Sequence, residues 1–118
     1  MAKVLVVDDS KLMRALIKAT FAKIGHEVVA EANNGLEGYE KYCALKPDVV
    51  ILDITMPAMN GIQALQKIKE YDDDAKIILL TSSLQGAKLN EAIKAGAAGY
   101  LFKPLEEIEL RNLLDQIL

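Results

Sequence analysis

The chain has 118 residues, 52% of them hydrophobic, enough for one globular domain spanning 1–118 that buries roughly two thirds of its unfolded surface without a metal or disulfide staple. Its 14 Lys and Arg against 17 Asp and Glu give a net charge of -3, which argues against a nucleic-acid footprint and leaves a protein partner or a small anionic ligand open. Cys43 is the one cysteine, no apolar run approaches the ~20 residues that cross a bilayer, and Met1-Ala2-Lys3-Val4 runs straight into a strand pattern, so a cytoplasmic protein with neither signal peptide nor membrane anchor is expected.

Apolar, β-branched runs alternate with segments of helical period five times along the chain. Lys3 to Val7 is the first strand. Met13, Leu16, Ile17, Phe21 and Ile24 then recur at helix spacing, behind a capping candidate at Asp9 or Ser10 and before Gly25 as a stop. Val28-Val29-Ala30 predicts a second strand, Asn33-Asn34-Gly35 a turn, and Leu36 to Leu45 a helix that Pro47 prevents from continuing. Val49 to Leu52 is the third strand, and Met56-Pro57-Ala58-Met59-Asn60-Gly61 a loop. Ile62, Leu65 and Ile68 give a third helix one apolar stripe. Asp72-Asp73-Asp74 reads as an exposed turn before a strand at Ile77 to Leu80. Leu89, Ala92 and Ile93 suggest a fourth helix ended by Gly96, Gly99 to Phe102 a short strand, and Leu105 to Leu118 an amphipathic last helix.

Strands with little inner/outer alternation, separated by helices, belong to a parallel sheet covered on both faces, an α/β fold of three layers. In such sheets ligands bind beyond the carboxyl ends of the strands, where the strand order reverses. Asp8 and Asp9 follow the first strand and Asp53 follows the third. The flavodoxin-like (βα)5 order 2-1-3-4-5 makes those strands neighbours and brings the three carboxylates together; the Rossmann order does not.

Three carboxylates so close repel one another, so the site either holds protons or attracts a divalent cation, and an all-oxygen donor set favours a hard ion such as Mg2+. A cation there would stabilise an arriving phosphoryl group, and a carboxylate can act as the nucleophile that accepts it. Two further strand ends add what such a site needs: Thr81 brings a hydroxyl and Lys103 an ammonium. Each charge alone could merely cap a strand, but four strands of five end in this set.

On Val4-Leu5-Val6-Val7-Asp8-Asp9-Ser10, Asp53-Ile54-Thr55-Met56-Pro57-Ala58-Met59-Asn60-Gly61, Leu80-Thr81-Ser82 and Ala95-Gly96-Ala97-Ala98-Gly99-Tyr100-Leu101-Phe102-Lys103-Pro104, the chain resembles the receiver domain of two-component response regulators. In length and layout it is most like single-domain chemotaxis-type (CheY-like) regulators. The resemblance implies that Asp53 accepts a phosphoryl group from a sensor histidine kinase, a histidine phosphotransfer protein or a small phosphodonor. It implies further that Asp9, Asp53 and the backbone carbonyl of Thr55 hold Mg2+, with Asp8 acting largely through bound water. Thr81, Lys103 and backbone amides near Thr55 and Ser82 would bind phosphoryl oxygens, and the Lys103-Pro104 bond would be cis. Thr81 would couple to an inward turn of Tyr100, changing the affinity of the face made by the fourth helix, fifth strand and last helix for an output protein. Self-phosphorylation and self-dephosphorylation are the only chemistry implied, a monomer or a phosphorylation-dependent dimer stays open, and the same residues would serve a receiver within a longer regulator. Thr55 and Ser83 would border the path of the attacking water, and Ser82 adds a hydroxyl where similar receivers often carry Ala or Gly.

Two other classes fit less well. A haloacid-dehalogenase-type phosphatase also uses a strand-end aspartate, Mg2+, Ser/Thr and Lys, but needs a second acid two residues on, where this chain has Ser10. A flavodoxin-like FMN carrier lacks its phosphate loop, because Asp8-Asp9-Ser10-Lys11 would repel the FMN phosphate. His26 reads as an exposed structural residue, Cys43 as partly buried packing, Met13, Met56 and Met59 as packing, and Arg14 as a solvated helix charge or part of a kinase-docking face.

Overall fold

The computed structural model describes residues 1–54, 61–82 and 86–118. Among the described residues ten elements alternate: β1 (Lys3–Val7), α1 (Lys11–Lys23), β2 (Glu27–Ala32), α2 (Gly35–Leu45), β3 (Val49–Asp53), α3 (Gly61–Tyr71), β4 (Ile77–Thr81), α4 (Gly86–Lys94), β5 (Gly99–Phe102) and α5 (Glu107–Ile117). The strands form one sheet in the order β2-β1-β3-β4-β5, every pair parallel. This is the flavodoxin-like arrangement.

Alternate strand residues feed two separate cores, which is why the strands read as continuous apolar runs. Leu5, Val7, Val50, Leu52, Ile77 and Leu79 pack with Leu65 and Ile68 of α3 and Ala92 of α4 on one face. Val4, Val6, Val49, Ile51, Ile78 and Leu80 meet Ile17 and Phe21 of α1 and Leu110 and Leu114 of α5 on the other. The central strands β1, β3 and β4 are therefore sealed, and the carboxyl ends of those strands are held in one row.

Local chemistry sets the helix ends. Of the two capping candidates Ser10 is the N-cap of α1: its hydroxyl accepts from the Met13 N–H at 3.1 Å. Asn34 does the same for α2, accepting from the Glu37 N–H at 2.8 Å, so this helix starts at Gly35 rather than Leu36. Four further expectations shift. The edge strand β2 is twice the length of its apolar centre, because Glu27 and Glu31 can sit on a half-exposed edge. Strands β3 and β4 each extend one residue, to take in Asp53 and Thr81. Helix α5 begins at Glu107, with Glu106 extended before it. Leu16 and Ile93 point outward, 53% and 45% exposed, although their helices are where the periodicity put them.

His26 is half-buried rather than exposed: its Nδ1 accepts the Ala2 N–H at 2.9 Å and its ring stands edge-on to Phe21. Cys43 is partly buried. Asp72 accepts from the Tyr42 hydroxyl at 2.8 Å and from the Asp74 N–H at 3.0 Å, so the acidic triplet is a hydrogen-bonded turn. Among the described residues no helix is long and apolar enough to cross a membrane.

Candidate functional site: an acidic pocket at the carboxyl edge of the sheet

Register builds the site. Val7 pairs with Leu52, which sets Asp8 beside Asp53; Asp53 pairs with Leu80, and Thr81 with Phe102, which sets Lys103 beyond Thr81. Each carboxylate of Asp8, Asp9 and Asp53 offers an oxygen within 4.8 Å of the others. Asp8 and Asp53 are buried, at 1% and 3% exposure, and Asp9 is exposed at the rim. Thr81 is buried, its carbonyl accepting the Lys103 N–H at 2.7 Å. Lys103 brings its ammonium back over the acids, 3.2 Å from Asp8 Oδ2 and 3.5 Å from Asp53 Oδ2. The Lys103-Pro104 peptide bond is cis.

Asp8 is tied at every other polar atom. Its N–H donates to the Ala32 carbonyl at 3.1 Å, its own carbonyl accepts from an Arg14 guanidinium nitrogen at 2.7 Å, and Oδ1 accepts the Ser10 N–H at 2.9 Å. Oδ2 is different: the ammonium stands at ion-pair distance, yet among the described residues no well-directed hydrogen bond reaches the oxygen. Burial pushes the Asp8 carboxyl above the usual carboxylate range; the Ser10 amide pulls it down, the Asp53 charge raises it further and Lys103 lowers it again. Among the described residues, two buried acids and a third at the rim lie about the Lys103 ammonium. A buried oxygen met by an ammonium but by no well-directed hydrogen bond, in an all-oxygen set with excess negative charge, fits a hard divalent cation.

The pocket therefore gathers Asp8, Asp9, Asp53, Thr81 and Lys103. Ser82 follows Thr81 and is exposed. Tyr100 is 42% exposed and packs edge-on against Phe102, ring centroids 5.7 Å apart. Thr55, with its expected carbonyl and amide roles, and Ser83, Met56 and Met59 lie outside the described residues.

Two residues at the site were not singled out from the sequence for what they do. Gly61 opens α3 so close to the phosphoacceptor candidate that a Cβ there would lie 2.3 Å from the Asp53 carbonyl oxygen and 2.4 Å from Ile54 Cα. Its one sequence signal is a glycine at the junction of a loop and a helical stripe. Arg14 is not a solvated charge: its side chain is 15% exposed, held by Glu31 at 3.2 Å and by the Asp8 carbonyl.

Known proteins are similar to this chain in sequence and in fold. The model of the response regulator receiver domain matches residues 4–115. Chemotaxis protein CheY of Thermotoga maritima is 46% identical over 115 residues, covering 98% of this chain and 96% of that protein. The crystal structure of Vibrio cholerae chemotaxis protein CheY4 superposes with a TM-score of 0.91 at 33% identity, over 100% of this chain and 99% of that one. CheY in the CheX-CheY-BeF3-Mg2+ complex of Borrelia burgdorferi gives 0.92 at 30% identity, over 98% and 87%. The chain thus belongs to the response regulator receiver domain family, as a CheY-like signalling domain of two-component systems rather than a classical enzyme.

Proposed function

We propose that this chain is a phosphorylation-controlled switch in which Asp53 is the acceptor. The observation that carries the reading is the buried Asp53 carboxylate with the Lys103 ammonium 3.5 Å away and two further acids beside it. A carboxylate oxygen of Asp53 attacks phosphorus, the bond from phosphorus to the imidazole nitrogen of a phosphohistidine (or to the leaving oxygen of a small phosphodonor) breaks, and an acyl phosphate results. Mg2+, held by Asp9, Asp53 and the Thr55 carbonyl with Asp8 acting through water, would neutralise charge on the transferring group. Lys103 and the Thr81 hydroxyl take phosphoryl oxygens, with the backbone amides of Thr55 and Ser82.

The donor in this reading is a sensor histidine kinase or a histidine phosphotransfer protein, and the domain works in the cytoplasm as one receiver over 1–118, a monomer or a dimer formed on phosphorylation. The response is a shift between two populated states. Thr81 drawn toward the phosphoryl group turns Tyr100 inward from its exposed position, and the α4-β5-α5 face changes its affinity for an output protein. Moving that equilibrium from 1:99 to 99:1 needs about 5.5 kcal/mol of preference for the active state, which a new dianion held by an ammonium and a cation can supply.

Incubation with Mg2+ and acetyl phosphate, followed by intact-mass measurement, tests the reading. One added phosphoryl group on the parent and none on Asp53→Asn is expected; an unchanged parent mass, or equal labelling of the variant, rejects it.

A further inference from the structure

We propose that Arg14 is a positioning residue for the acidic pocket, acting through the peptide that joins Asp8 to Asp9. The carbonyl Arg14 bonds at 2.7 Å belongs to that peptide, so the guanidinium fixes the plane from which both acids project. On the far side of Asp8, the N–H is held by the Ala32 carbonyl. The guanidinium is itself oriented, its Nε donating to Glu31 Oε1 at 3.2 Å, while the Glu31 carbonyl is held by the Lys41 ammonium; the Lys18 ammonium, on a side chain 56% exposed, meets the other Glu31 carboxylate oxygen at 3.5 Å, a surface contact of little weight. One planar cation thus reaches two acceptors, one on the residue that follows β1 and one in β2, from the first turn of α1. Lysine, with a single ammonium at the end of a flexible chain, cannot reproduce this two-point hold.

The consequence falls on cation binding, and its sign separates positioning from simple electrostatics. If Arg14 were only a nearby positive charge, removing it would relieve repulsion and tighten divalent-cation binding. If it aims the acids, removing it loosens them and weakens binding, as loss of the groups that orient metal ligands generally does. The inference rests on the proposed role of Asp8 and Asp9 at a cation, and the test keeps the two apart.

Mg2+ affinity is measured by titration calorimetry on the full chain for the parent, Arg14→Ala, Arg14→Lys and Lys18→Ala, with melting temperatures in EDTA alongside. Arg14→Ala is expected to bind Mg2+ about 10-fold more weakly, Arg14→Lys to fall between it and the parent, and Lys18→Ala, which loses the same charge from α1 without touching Asp8, to match the parent. A purely structural role lowers the melting temperature and leaves the affinity of the folded protein unchanged; that result, or tighter binding by Arg14→Ala, overturns the assignment alone. Should Arg14→Ala fail to fold, Arg14→Lys decides by the same criterion. A parent that binds no Mg2+ overturns this assignment together with the functional reading beneath it.

Discussion

Replacing Asp8 by Asn is expected to stabilise the metal-free protein. At an effective dielectric constant of about 20, the Asp8 and Asp53 charges, no more than 4.8 Å apart, repel by at least about 3.5 kcal/mol, and Lys103 at 3.2 Å attracts Asp8 by about 5 kcal/mol. Those two contributions leave under about 2 kcal/mol in favour of the charge. Desolvating a carboxylate that is 1% exposed costs several kcal/mol and decides the sign. Asn keeps Oδ1 for the Ser10 N–H, giving back about 1 kcal/mol for a bond to a neutral acceptor. A net gain of about 1–2 kcal/mol at pH 7 follows, or roughly 4–8 °C in Tm for a chain of this size. Because burial raises the native pKa of Asp8, the folded chain holds an extra proton between the unfolded value of about 3.9 and the native one. The parent loses stability as pH rises through that window, and the advantage of Asn disappears below it. Thermal unfolding in EDTA across pH 4 to 8 measures both effects. An Asp8→Asn protein that melts at or below the parent at pH 7 refutes the reasoning. Added Mg2+ should raise the parent's Tm far more than the variant's, by mass action.

Gly61→Ala places a Cβ against the Asp53 backbone; overpacking of this kind costs about 1–3 kcal/mol, read by urea unfolding, and should slow phosphorylation by displacing the acceptor. Tyr42→Phe removes the hydroxyl bond to Asp72 and is expected to cost about 1 kcal/mol with phosphorylation rate unchanged, since that contact lies at the opposite edge of the sheet. Ser10→Ala removes the N-cap of α1 at about 1 kcal/mol, seen as a lower urea midpoint. Mg2+ with beryllofluoride should raise the Tm of the parent and not that of Asp53→Asn; equal shifts would place the ligand elsewhere.

The fold was legible because its central strands are apolar on both faces, a pattern a one-sided sheet does not produce. The acids, Thr81 and Lys103 were legible because each follows such a run, so chain order alone placed them at one edge. What stayed hidden depends on contacts between distant segments. Arg14 looked like surface charge since nothing in α1 says that β2 brings Glu31 to it. Gly61 looked like a loop glycine because the approach of α3 to the Asp53 carbonyl exists only in three dimensions. Leu16 was placed in the apolar stripe, yet it sits about 100° around the helix from Ile17, which fills the core in its place. The flanks of β2 were missed because edge strands tolerate Glu where sealed strands do not.

The central claim, that Asp53 takes the phosphoryl group, is tested most directly by trapping it. Borohydride reduces an aspartyl phosphate to homoserine, so peptide mapping of the Mg2+- and acetyl-phosphate-treated parent after reduction locates the acceptor. Homoserine at position 53 and nowhere else is the expected result. Homoserine at 8 or 9, or aspartate intact at all three positions, contradicts the account.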